Sequence, residues 1–147
     1  MKKFVFTLQG VNDIALATEK QLKIEMQRIE DRLRRVLQEI EDTRLEFRTL
    51  KARCFEQMRQ DGIESQSLVQ YERYFEKLEA ALQVLKQTKT QIEREKEKCL
   101  QAQIENRKEL KTLEKLREKQ YQEYLSELRR EEEKAIGDLV AYRSTIQ

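Results

Sequence analysis

Residues Leu22–Cys54 read LKIEMQRIEDRLRRVLQEIEDTRLEFRTLKARC, and the spacing inside this stretch decides the fold. Alternating steps of four and three from Leu22 land on Met26, Ile29, Leu33, Val36, Ile40, Thr43, Phe47, Leu50 and Cys54. All but Thr43 are apolar, with a free cysteine counting as a small hydrophobe. The residues between them are mostly Glu, Asp, Lys, Arg and Gln. An apolar residue every 3.5 positions keeps one narrow stripe aimed at a partner helix while both supercoil. No Gly or Pro interrupts the stretch, so the pattern predicts a long coiled-coil helix and not a strand.

Composition supports long helices with a thin seam. The 147 residues include no proline, no histidine, no tryptophan and three glycines. About seven prolines are expected at average usage, so little of the chain needs to turn. Charged residues make up 39% and hydrophobic ones 38%, which argues against an ordinary globular core. A net charge of +2 gives no reason to expect nucleic acid or an anionic membrane as partner. Runs such as Glu93-Arg94-Glu95-Lys96-Glu97-Lys98 read as a solvated helix face laced with spaced ion pairs.

No apolar run approaches the ~20 residues that span a bilayer. Phe4-Val5-Phe6 imitates the start of a signal peptide, but Gln9-Gly10 and Asn12-Asp13 interrupt it. The expectation is a cytosolic protein without membrane insertion.

The one break signal is Gln60-Asp61-Gly62-Ile63-Glu64-Ser65-Gln66-Ser67. Gly62 can take the left-handed conformation that closes a helix, and Ile63 could touch Met58 as in a Schellman motif. Ser67-Leu68-Val69-Gln70 has the form of a capping box for a new helix. The chain therefore reads as a single all-α domain over 1–147, a long antiparallel two-helix coiled-coil hairpin. Helix one spans about 10–60, with Asn12 or Asp13 as cap. The turn is 61–67, and helix two runs over about 68–143.

Helix two repeats the step at Leu68, Tyr71, Phe75, Leu78, Leu82, Leu85, Ile92, Cys99, Leu110 and Leu113, with polar residues at Lys89, Lys96, Gln103 and Asn106. Beyond Leu113 the sequence predicts a stutter through Arg117, Tyr121 and Leu125. Gly137 predicts fraying near the end. Folding about residues 62–66 leaves the last ~25 residues of helix two overhanging. It also holds Cys54 and Cys99 about 40 Å apart, too far for a disulfide.

Catalytic chemistry is not indicated. There is no histidine, no phosphate-binding glycine loop and no Cys-x-x-Cys. A helical hairpin also lacks the volume for a substrate cavity. The expectation is no enzyme, no cofactor and no metal.

Two surfaces carry more apolar residues than a two-stranded seam needs. Tyr74, Leu78, Ala81 and Leu85 form a row beside the stripe. That row is either a thicker core or a contact patch. Tyr121, Leu125, Leu128, Leu139 and Tyr142 continue the stripe onto the overhang. They either pack against residues 4–18 or a dimer mate, or form a partner site.

Three segments resemble the bacterial flagellar export protein FliJ family. They are Lys3-Phe4-Val5-Phe6-Thr7-Leu8-Gln9, then Gly62-Ile63 with Tyr71-Glu72-Arg73-Tyr74-Phe75-Glu76-Lys77-Leu78-Glu79-Ala80-Ala81-Leu82, and Lys134-Ala135-Ile136-Gly137-Asp138-Leu139. In the last of these, Gly137 stands where the family usually has aspartate. The resemblance implies a non-enzymatic coiled coil similar to the central stalk of rotary ATPases. The end holding both termini would enter the ring of the flagellar export ATPase and promote its assembly and activity. Phe4, Phe6, Leu8, Tyr121, Leu125, Leu128, Leu139 and Tyr142 are the residues at that end. The region nearer the turn would contact the cytosolic domain of the export gate through Tyr74, Leu78, Ala81 and Leu85. The family's matching row on the first helix falls at Val36, Ile40, Thr43 and Phe47, positions the seam also claims. Export chaperones are further implied partners, and the setting would be the cytoplasmic face of the inner membrane at the flagellar basal body. The free chain is expected to be a monomer. A structural coiled-coil homodimer and an adaptor of another secretion system are the alternatives.

Overall fold

The computed structural model describes residues 2–146. Two long helices, α1 (Gln9–Gln60) and α2 (Ser65–Ile146), pack against each other as an all-α helical hairpin. The chain divides into two compact units, Leu22–Gln101 and Met1–Gln21 with Ala102–Gln147.

The unit Leu22–Gln101 contains the turn. Every seam position from Leu22 to Cys54 is buried or half-buried, while most of the charged residues between them are exposed. Ile29, Val36, Ile40, Ile92 and Cys99 form the buried cluster, with Leu22, Met26, Leu33, Leu82 and Leu85 packed on it. Ile92 keeps only 2% of its surface exposed, and burying a side chain of that size contributes about 1.5–3 kcal/mol. The register is antiparallel. Phe47 stacks at a tilt on Phe75, 5.2 Å between centroids, while Arg32 Nη1 reaches Glu95 Oε2 at 2.6 Å. That ion pair is part-exposed, so it contributes less than about 1 kcal/mol. Thr43 holds its polar seam slot by donating its hydroxyl to the Glu39 carbonyl at 2.7 Å, which satisfies the hydroxyl within its own helix. Cys54 and Cys99 are both buried and free.

The turn is tighter than expected. Gly62 has φ of 71°, the left-handed region that glycine enters without a Cβ penalty. The α1 ladder ends with Asp61 N–H donating to Gln57 O at 3.2 Å. No Ile63-to-Met58 Schellman bond forms among the described residues. The new helix starts at Ser65, three residues earlier than the capping-box reading placed it. Leu68 N–H donates to the Glu64 carbonyl at 3.0 Å, which puts Ser67 inside the first turn rather than at the cap. Asn12 and Asp13 likewise lie inside α1. The Leu8 carbonyl accepts from Asn12 N–H at 2.9 Å, and Asp13 holds the Gln9 side chain at 2.9 Å.

In the other unit, residues 2–8 run back along α2. Phe6, Ala15 and Leu113 are buried together, with Phe4, Leu8 and Leu110 packed on them. Asn106 is buried and donates its Nδ2 hydrogen to the Ala15 carbonyl at 3.1 Å. Past Leu113 the inward places differ from those the spacing predicts. Gln120 and Tyr124, not Tyr121, take the next inward places, and Arg117 is exposed. The reason is the N-terminal segment: Thr7 exchanges hydrogen bonds with the Gln120 amide, and Tyr124 Oη donates to the Lys2 carbonyl at 2.7 Å. α2 also passes through Gly137 without a break to Ile146. A helical glycine costs about 1 kcal/mol relative to alanine, and the chain absorbs it.

Candidate functional site

The N-terminal opener explains itself by strand-like alternation. In an extended segment successive side chains point to opposite sides, so Phe4, Phe6 and Leu8 share one side and Val5 takes the other. The structure lays the first side on α2. Phe6 is buried, Phe4 and Leu8 are half-buried, and Val5 is 75% exposed. Phe4 sits edge-on to Tyr121 at 5.2 Å and tilted on Tyr124 at 5.6 Å. Phe4, Phe6 and Leu8 are therefore core contacts of this unit and not a free docking surface. Tyr121 retains an exposed edge, while Leu125 and Leu128 are half-buried.

Past Leu128 the situation changes. Every residue from 129 to 146 is exposed. Leu139 is 62% and Tyr142 65% exposed, joined by Ile136, Val140 and Ile146. At 100° per residue, the face from Tyr142 through Ala135, Leu139 and Ile136 to Val140 spreads about 160° around the axis. A two-stranded seam needs a narrower stripe. Ile146 continues the four-three step past Tyr142, whereas Ile136 and Val140 lie outside it, so tracing a single stripe along the sequence passed those two by; counting apolar residues per turn finds them.

The row on the other unit separates into two layers. Leu78 is buried, and Leu85 is half-buried against the core cluster. Tyr74 and Ala81 are exposed, and Val84, missed by the sequence reading, is 60% exposed beside them. The first-helix row does not form a surface: Val36 and Ile40 are buried, and Thr43 and Phe47 are half-buried in the seam. Tyr74 Oη donates to Glu46 Oε1 across the two helices. That bond, with the Glu46 charge second, holds the Tyr74 hydroxyl above its ordinary value of 10.0. Tyr71 Oη donates to Gln57 at 2.9 Å nearer the turn.

Among the described residues no His/Cys/Asp/Glu group is placed to hold a metal, and no helix is long and apolar enough to cross a membrane. What the fold and its faces define is an all-α helical hairpin that leaves several large apolar side chains exposed. A family model described as Flagellar FliJ protein matches residues 4–145, nearly the whole chain. The chain belongs to the FliJ family, and is thus a flagellar export-associated protein. Comparisons with curated proteins and with solved structures each returned no match.

Proposed function

We propose that this chain is a non-catalytic coupling element of flagellar protein export, docking into the export ATPase ring, promoting the ring's assembly and activity, and contacting the cytosolic domain of the export gate. Family membership supports the setting. The observation that carries the reading is the broad exposed face of Leu139, Tyr142, Ile136 and Val140, whose width matches reception by a ring of subunits better than pairing with one helix. Tyr121, with its exposed edge, and the part-exposed Leu125 and Leu128 extend that contact. Phe4, Phe6 and Leu8 act indirectly, by holding Tyr121 and Tyr124 in place. Tyr74 and Ala81, backed by Leu78 and Leu85, supply the gate contact. Export chaperones meet the chain during substrate delivery at the cytoplasmic face of the inner membrane. The free chain is a monomer, because each helix already has its partner.

The test adds the purified chain to a flagellar export ATPase and follows phosphate release and ring assembly. Stimulation that Leu139→Asp with Tyr142→Asp removes supports the reading. An unchanged rate and unchanged assembly would count decisively against it.

A further inference from the structure

The gate-side face has a second half that the apolar row does not reveal. Tyr74 reaches across to Glu46, which fixes which edge of α1 borders the row. Asp42 lies one turn and Glu39 two turns before Glu46, on that same edge. Because the helices are antiparallel, Glu39 comes level with Ala81 as Glu46 does with Tyr74. Glu39, Asp42, Glu46, Tyr74, Ala81 and Val84 are all exposed. None of the three acids makes an ion pair among the described residues, whereas Glu41 on the opposite edge pairs with Arg44 at 3.7 Å. Lys77, between Tyr74 and Ala81, adds a cation to the face, and it too makes no ion pair among the described residues. Arg35 and Arg53 stand beyond the ends of the acidic stretch.

From this face we infer that the partner received at Tyr74, Ala81 and Val84 is a basic amphipathic segment, whose apolar residues cover the row while its Lys or Arg side chains meet Glu39, Asp42 and Glu46. The inference rests on the gate contact proposed above for the identity of the partner, and on this chain's own charges for its chemistry. Complementary charge at an exposed rim acts chiefly on the association rate and on the choice of partner, and it is screened by salt. An acidic partner would meet repulsion from three carboxylates held on one edge.

The experiment measures binding of the full chain to two synthetic helical peptides sharing one apolar face. One carries lysines on its flanks and the other carries glutamates. The lysine peptide is expected to bind more tightly by about tenfold at low ionic strength, with the difference shrinking in high salt. Glu39→Gln with Asp42→Asn leaves the Tyr74–Glu46 bond intact and should abolish most of that preference. Glu39→Lys with Asp42→Lys should reverse it. Equal binding of both peptides, or a preference untouched by either double variant, overturns the inference. The same variants tested on the gate's cytosolic domain separate the two readings. Gate binding that depends on Tyr74 but not on salt or on the acids keeps the gate contact and removes this proposal. Charge-dependent peptide binding without gate binding does the reverse.

Discussion

Asn106 Nδ2 lies 3.1 Å from the carbonyl oxygen of Ala15, a buried polar contact between α2 and α1. The smallness of Ala15 gives the amide room to approach. Polar residues at seam positions cost stability against leucine but fix register, because any slip strands the amide. Asn106→Ala should lower stability by about 1 kcal/mol, the net worth of one hydrogen bond with some lost packing. Asn106→Leu should raise the melting temperature while loosening register. Thermal denaturation and cysteine cross-linking between residues 15 and 106 measure the two effects.

Gly62 turns the chain at φ 71°, and a Cβ built there meets nothing within 4 Å. The cost of Gly62→Ala is therefore conformational alone, about 1–2 kcal/mol for an L-residue forced left-handed. Gly137→Ala is the control. Its surroundings are equally open but it is helical, so the same change should stabilise by about 1 kcal/mol. Urea denaturation of the two variants should show opposite signs.

These glycines show what the sequence made legible. Gly62 was readable because it is the break in an otherwise unbroken period, and Leu22–Cys54 because burial follows the four-three step at every position. The capping residues were not readable. Asn12 and Asp13 sit near the start of α1 and Ser65 and Ser67 at that of α2, yet the backbone carbonyls of Leu8 and Glu64 accept the first bonds. The change of inward positions past Leu113 has a similar cause. Tyr121 looks inward by spacing, but segment 2–8 bonds Gln120 and Tyr124 and selects their side of α2. At the candidate faces, hydrophobicity alone did not tell Leu78 from Ala81 or Phe6 from Leu139; only the packing partner does.

Cys99 donates to the Leu22 carbonyl at 3.6 Å. Burial, with a smaller contribution from Glu25, pushes its thiol above the ordinary value of 9.0. The folded state thus keeps the proton after the unfolded chain would lose it. The associated stability is fully present below that value and falls as pH rises through it. Tyr74 adds a second loss further up, since its hydroxyl is also held above its ordinary value of 10.0. Melting temperature should decline on the alkaline side, and Cys99→Ala should flatten the first part of that decline. Thiol-specific labelling should be slow in the native chain and fast in denaturant.

Phe6 and Leu139 are both apolar residues of the end assigned to the ATPase, yet their variants should behave oppositely. Phe6 is 4% exposed against Ala15 and Leu113. Truncating a buried phenylalanine costs about 3–5 kcal/mol, so Phe6→Ala should release residues 2–8 from α2. Protease sensitivity and amide exchange near Gln120 would report it. Any loss of ATPase stimulation should then follow from that loosening and recover when Thr7 and Gln120 are replaced by a disulfide-linked cysteine pair. Leu139 touches no core residue, and Leu139→Asp should change stability by less than about 0.5 kcal/mol. Because the face it belongs to is the proposed contact, stimulation should still fall sharply, with no rescue from the same disulfide. Matching stability losses in the two variants, or rescue of both by the disulfide, would mean that the exposed face of α2 acts through the fold and not as a contact.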